Sequence, residues 1–248
     1  MEQRPVCLSI GGSDSCGGAG IQADLRVFSE LGVTGCSAIT ALTAQNPRQI
    51  TRIEPVSLAQ LDAELHTVFD YYDVAAVKTG MLLDAEHIAV VAAALQQRHK
   101  QGTLIIDPVM LASSGRRLLD APAVETLVKA LLPMTTLLTP NLDEAAVLLG
   151  RPVSDARADC RELVQSFGCA VLLKGGHGAG ETLIDVLCEP DGNLTSIEHP
   201  RLAWSESNSH GSGCRLAAAI AAILAQNKAS NGLADTVRKA VAICSKPQ

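Results

Sequence analysis

Aromatic side chains are nearly missing from this chain: among 248 residues there are three Phe, two Tyr and one Trp. Six rings are too few for an aromatic cage, so a planar ligand would have to be held by apolar walls and hydrogen bonds to its edge. An excess of positive charge is missing too. Twenty Lys and Arg against 26 Asp and Glu leave a net charge of −6, which excludes a nucleic acid as main partner, since that polyanion needs a basic face. A phosphorylated small molecule remains compatible, because a few local donors suffice to hold it. Long hydrophobic runs are absent as well. The longest, residues 216–225, is too short to cross a bilayer, and residues 1–10 lack a basic segment followed by a signal-length apolar stretch. These absences predict a soluble, cytoplasmic protein with no membrane partner.

Cysteine is present, with eight residues, but its metal-binding spacings are not. No Cys-x-x-Cys pair and no His-x-x-x-His partner occurs, which argues against structural zinc and against a disulfide framework. Most of the cysteines read as small buried hydrophobes, Cys214 excepted. No Gly-x-x-x-x-Gly-Lys-Ser/Thr occurs, so a P-loop is excluded, and no Gly-x-Ser-x-Gly elbow accompanies a Ser-His-Asp set. Gly18 to Ala23 satisfy a loose dinucleotide pattern. However, the preceding strand ends well before Gly18, and no acidic residue closes a second strand about 20 residues on.

What the chain does have is alternation. With 47% hydrophobic residues it can bury one substantial core, and a single domain over 1–248 is expected. Residues 6–10, 35–40, 51–56, 75–78, 104–107, 137–139 and 171–174 read as strands, and amphipathic segments separate them. Ile21, Leu25, Phe28 and Leu31 share a helical face that Gly32 ends. Ser57 with Gln60 suggests a capping box, and Asp84 a cap for the helix through Leu95. Residues 121–132 and 142–149 read as helices, 182–187 and 193–197 as a hairpin, and 214–226 and 233–244 as the two final helices. The pattern predicts an α/β protein, a three-layer α/β/α sandwich whose mostly parallel central sheet carries an antiparallel edge hairpin.

Ligands of such sheets bind outside the carboxyl ends of the strands. Asp14, Gln45, Lys78, Asp107, Asn141 and Lys174 all fall at or just after those ends, which puts them on one rim. The stretch 205–216 runs from a polar loop through Gly211 and Gly213 into a long apolar helix. Small residues there let an anion reach the free N–H groups of the first turn, where the helix dipole favours negative charge. Cys214 in that field is expected as a thiolate, and His210 as a turn-packing residue. Asn141 and Glu144 open a helix three residues apart. Locally this reads as a capping box, while Asp107 adds a second carboxylate that would suit a hydrated Mg²⁺.

Several motifs in matching order give the chain a family likeness. They are Ile10-Gly11-Gly12-Ser13-Asp14 with Gly17 to Asp24, Thr40 to Asn46, Lys78-Thr79-Gly80-Met81, Asp107-Pro108-Val109-Met110, Thr139-Pro140-Asn141 with Glu144, Lys174-Gly175-Gly176-His177, and His210 to Cys214. Over nearly its whole length the chain resembles the hydroxymethylpyrimidine and phosphomethylpyrimidine kinases of thiamine synthesis, of the ribokinase-like superfamily. The resemblance implies ATP and Mg²⁺ as cofactors, a small pyrimidine alcohol and then its monophosphate as substrates, and a homodimer. It implies that Gln45 meets the pyrimidine edge, with Gly12, Met81 and Val109 around the ring. Asp107, Asn141 and Glu144 would organise Mg²⁺, and Lys174 and Ser212 would lie by the ATP phosphates. Gly211, Gly213 and Cys214 would form the anion hole. Arg215 stands where the family usually has a small hydroxyl residue. Two alternatives stand beside this reading: a pyridoxal-type kinase on the same scaffold, and a non-catalytic pyrimidine-binding sensor.

Overall fold

Strand β1, Val6–Asp14, is buried at every position but Ser13, as expected of a strand covered on both faces. Its alternate residues serve two cores. Leu8 and Ile10 join one, while Cys7 joins the other. The computed structural model describes residues 4–99, 102–111, 117–175, 182–201, 211–226 and 232–245.

Helix α1 (Gly20–Glu30) leads to β2 (Thr34–Asn46) and β3 (Gln49–Pro55). There follow α2 (Leu58–Tyr71), β4 (Val74–Thr79), α3 (Ala85–Arg98), β5 (Thr103–Ile106) and α4 (Ala121–Thr126). Next come β6 (Leu137–Leu138), α5 (Leu142–Leu149), α6 (Ala156–Phe167) and β7 (Ala170–Leu173). The hairpin β8 (Thr182–Cys188) and β9 (Leu194–Pro200) precedes α7 (Ser212–Gln226) and α8 (Gly232–Cys244). Among the described residues the strands form one nine-stranded sheet in the order β3-β2-β1-β4-β5-β6-β7-β8-β9. β2 through β7 run parallel in that order. Leu61, Ile88, Leu127 and Leu163, from α2, α3, the turn after α4 and α6, cover one face. Phe28, Ile220 and Val237, from α1, α7 and α8, cover the other. Each such fully buried side chain contributes roughly 1.5–3 kcal/mol.

The three-layer reading holds, with differences at its margins. The sheet is antiparallel at both edges, because β3 folds back on β2 as well as β8 and β9 folding on β7. The cause is local: Asn46 Oδ1 accepts the N–H groups of Arg48 at 2.9 Å and Gln49 at 3.2 Å, a side-chain-made turn that closes a hairpin. Helix α6 was not expected. Its buried stripe is narrow (Cys160, Leu163 and Val164, with Asp159), which leaves little periodicity to read. The 121–132 helix widens into a π turn at Leu127–Leu131 and tightens at Leu132–Met134. Ser57 caps α2 through Gln60 N–H, but the Gln60 amide turns to Glu64 instead, so only half of that capping box forms. All eight cysteines are free, and Cys7, Cys160, Cys169 and Cys188 are buried. Among the described residues no helix is long and apolar enough to cross a membrane.

The chain leaves β1 for β2 on one side and returns to β4 on the other. That reversal opens a crevice outside the carboxyl ends of β1 and β4, where open α/β sheets bind ligands.

Candidate active site

The crevice is lined first by backbone. Asp14, at the end of β1, is buried, and its carboxylate accepts Cys16 N–H at 2.9 Å and Ala19 N–H at 2.8 Å. This curls the glycine-rich segment back over β1. Gly20 has φ +60°, and a Cβ there would stand 2.3 Å from Gly12 O. Gly211 has φ +82°, and a Cβ on it would stand 2.2 Å from Gly18 O. These two positions therefore require glycine, and they bring the starts of α1 and α7 side by side at the rim. The first helical bond of α7 runs from Arg215 N–H to Gly211 O at 3.0 Å.

Two lysines, Lys174 partly exposed and Lys78 buried, serve that opening. Lys174 Nζ reaches Asp107 Oδ1 at 2.9 Å, and a Cβ on Gly213 would stand 3.0 Å from the same nitrogen. The Cys214 thiol stands near enough to the Asp107 carboxylate for each to influence the other's ionisation. Lys78, expected on the rim, lies beneath it instead, without exposed surface. Its ammonium spans both oxygens of Asp24 at 2.8 and 3.0 Å, and Ser9 Oγ donates to Asp24 Oδ2 at 2.6 Å. Asp24 and Ser9 were not singled out from the sequence; the one available signal was the place of Asp24 at the end of the glycine-rich motif.

Charge at the site follows from burial. Burial works against the Lys78 cation, but Asp24, Cys214 and Asp107 outweigh it and hold its pKa above the ordinary lysine value. Burial likewise raises Asp107, yet Lys174 and Lys78 prevail and keep that carboxyl below the usual range. Glu144 goes the other way, raised by burial and by Asp107 against the pull of Lys174. The thiolate expectation for Cys214 fails. Burial, with Asp107 and Asp24 nearby, outweighs Lys78 and Lys174 and pushes the thiol up to about 12. The field of the first helical turn is too weak to reverse that desolvation.

Asn141 and Glu144 form the capping box that their spacing suggests. Asn141 Oδ1 accepts Glu144 N–H at 2.8 Å, and Glu144 Oε2 accepts Asn141 N–H at 2.9 Å. Glu144 Oε1 also accepts Met110 N–H at 3.3 Å. Among the described residues no group of three or more His, Cys, Asp or Glu converges as a metal cage. The donor set nonetheless fits Mg²⁺ held through its own waters: Asp107, Asn141 and Glu144 keep unused oxygen lone pairs after these bonds.

Gln45 follows a bulge in β2. Its backbone N–H and C=O both bond Ser15 Oγ, at 2.9 and 3.0 Å, while its carboxamide has no partner among the described residues. Met81 is buried, and its Cε lies 2.6 Å from where a Cβ on Gly12 would stand, so Gly12 is what admits it. Val109 has φ +20°, a strained conformation for a β-branched residue, directly before the amide that Glu144 holds. Asp185, also unforeseen, accepts Gly175 N–H at 2.8 Å and so fixes the chain just after Lys174. The Arg215 charge works against the burial that raises the Cys244 thiol of α8, and the buried Arg215 Nε has no hydrogen-bond partner among the described residues. The side chain of Ser212, the residues His210, Gly176 and His177, and residues 112–116 lie outside the described residues.

This sheet order, with two helix starts and a Lys–Asp–Cys cluster at the carboxyl ends of its strands, places the protein in the ribokinase-like class of small-molecule kinases. The family model described as "Phosphomethylpyrimidine kinase" matches residues 14–246, and the chain belongs to that family. It is 45% identical over 225 residues to a hydroxymethylpyrimidine/phosphomethylpyrimidine kinase of Rhizobium meliloti, covering 89% of this chain and 83% of the relative. A phosphomethylpyrimidine kinase structure from Clostridium difficile superposes with a TM-score of 0.82 at 32% identity, over 98% of this chain and 100% of that one. A pyridoxal kinase from Staphylococcus aureus, in complex with AMP-PCP and pyridoxal, gives a TM-score of 0.81 at 28% identity, over 96% and 85% of the two chains.

Proposed function

We propose that the protein transfers the γ-phosphoryl group of ATP to the hydroxymethyl oxygen of 4-amino-5-hydroxymethyl-2-methylpyrimidine, and then phosphorylates that monophosphate, in thiamine synthesis. The observation that carries this reading is the Cys214 thiol at the mouth of α7, beside an Asp107 carboxylate that Lys174 holds at 2.9 Å. With its proton turned to Asp107, the neutral thiol would leave its sulfur lone pairs to accept a hydrogen bond from the substrate hydroxyl. Cys214 thus orients the nucleophile, and the hydroxyl proton can pass to sulfur as the thiol proton passes to Asp107. Phosphoryl transfer is loose, so the alcohol needs little activation before the bond to phosphorus forms. The amides of Gly211, Ser212, Gly213 and Cys214 meet the equatorial oxygens of the moving group without reorganising. Lys174 adds a fixed cation there. Asp107, Asn141 and Glu144 would hold Mg²⁺ through waters, and the ion would supply charge neutralisation on the phosphates. The reading extends to a single kinase domain over 1–248 that acts in the cytoplasm as a homodimer.

Gln45 provides a donor and an acceptor side by side, which match the amino group and ring nitrogen of an aminopyrimidine. Gly12, Met81 and Val109 provide the apolar surround. Gln45→Ala is expected to raise the KM for the pyrimidine about tenfold, the size of one lost buried hydrogen-bond pair, with kcat little changed. An unchanged KM in steady-state assays would discredit the edge contact.

Mass spectrometry after incubation with the pyrimidine alcohol and Mg-ATP tests the activity itself. Mono- and then diphosphate products are expected. Faster ATP consumption with pyridoxal would favour a pyridoxal kinase, a reading that the likeness to the Staphylococcus aureus structure keeps in view. Pyrimidine binding in calorimetry without ADP formation would point to a sensor.

A further inference from the structure

Met81 is held by a ring of hydrogen bonds that takes no part in the chemistry above. Thr40, in the middle of β2, donates its hydroxyl to the Met81 carbonyl at 2.7 Å, and Thr40 has no exposed surface. The chain then turns sharply. Leu83 has φ +75°, and Asp84 N–H donates to Leu82 O at 3.1 Å. This is a γ-turn of the positive-φ kind, which a side-chain-bearing residue adopts only where its surroundings enforce it. Asp84 next caps α3 by accepting His87 N–H at 2.9 Å, and the same oxygen meets His87 Nδ1 at 2.7 Å. His87 Nε2 faces the Val56 carbonyl at 2.8 Å. Val56 N–H donates to Thr40 O at 3.0 Å, and the circuit closes on the residue where it began.

A strained turn persists only where its neighbours over-determine it, and here both ends are tied. The downstream end is fixed by the cap and the imidazole. The upstream end, at Met81 itself, has the Thr40 hydroxyl as its tie to β2. The Met81 side chain, pressed over Gly12, is thereby kept from shifting along the crevice.

We propose that Thr40 is a positioning residue for substrate specificity: by fixing the Met81 backbone it makes the wall beside the ring unyielding, so that a compact aminopyrimidine alcohol is accepted and a more heavily substituted pyridine alcohol is turned away. The inference rests on the reading that Met81 borders the pyrimidine. Thr40 touches neither substrate nor phosphate in this account, and it acts through Met81 alone.

Thr40→Val keeps the shape of the side chain and deletes the hydroxyl, and Thr40→Ser keeps the hydroxyl. In Thr40→Val the KM for the pyrimidine alcohol is expected to rise about five- to tenfold, the loss that one buried hydrogen bond carries. The kcat and the KM for ATP stay within about twofold, and the kcat/KM preference over pyridoxine narrows by about the same factor as the KM rises. Thr40→Ser restores both KM and preference. A folded Thr40→Val with wild-type KM and wild-type preference overturns the proposal, as does an equal loss with Thr40→Ser. Should Thr40→Val fail to fold, Leu83→Gly relaxes the other end of the circuit and is expected to narrow the preference in the same way; an unchanged preference there overturns it too. Normal pyrimidine turnover that is indifferent to Thr40 sinks this inference alone, whereas no pyrimidine turnover in the wild-type protein sinks the proposed activity with it.

Discussion

Cys214→Ala is expected to lower kcat by about 10²- to 10⁴-fold, the range of a positioned proton-transfer group, while pyrimidine binding stays within about twofold of wild type. The expectation follows from what the sulfur contacts. It lies beside Asp107, its pKa of about 12 keeps it a neutral thiol in the free protein, and its lone pairs are available to the substrate. Alanine removes that acceptor but preserves the first turn of α7, where it is well tolerated. The backbone amides and Lys174 are untouched, so residual transfer from charge stabilisation should survive. Single-turnover rates with Mg-ATP, alongside calorimetric titration of the pyrimidine, separate the two effects. Wild-type turnover in the variant would remove the thiol from the mechanism.

Lys78→Met is expected to cost the fold about 3–5 kcal/mol, the penalty for leaving one partner of a buried pair uncompensated. Lys78 and Asp24 are both essentially inaccessible to solvent, and the ammonium contacts both carboxylate oxygens at 2.8 and 3.0 Å. Desolvation already holds the Asp24 carboxyl above its ordinary value against the pull of Lys78; without the lysine Asp24 keeps only the Ser9 hydroxyl and is raised further. A carboxyl raised in this way favours folding when protonated, so the deficit against wild type should be larger at pH 7 than at pH 5. Adding Asp24→Asn removes the stranded charge and should recover much of the loss. Urea unfolding at the two pH values reads all three expectations. A loss under about 1 kcal/mol in Lys78→Met would mean that the pair contributes little.

Much of the architecture was legible because its signals are local. Asp84 and Asn141 cap their helices where their spacing suggests, and Gly32 and Gly150 end theirs with positive φ. Strands β1 and β2 ran longer than expected, since parallel pairing carries them together to Asp14 and Thr43, and antiparallel pairing with β3 takes β2 on to Asn46. Helix α6 escaped because three of its four buried side chains are all the apolar stripe it has. At the site, glycines and polar residues at strand ends could be read singly, and the structure brings Asp107, Lys174, Gly213 and Cys214 together. Lys78 could not be read correctly. Its partner Asp24 is 54 residues away, and nothing near Lys78 in the chain shows that it is covered.

The amino-acid sequence by itself determined the order of elements, the family, and the places where backbone must pass unhindered, because caps, turns and periodicity act over a few residues. Tertiary structure alone decided which carboxylate each lysine meets, that Cys214 is a thiol and not a thiolate, and that Thr40 ties down Met81. Desolvation and ion pairing depend on groups that arrive from distant parts of the chain, and only folding sets those distances.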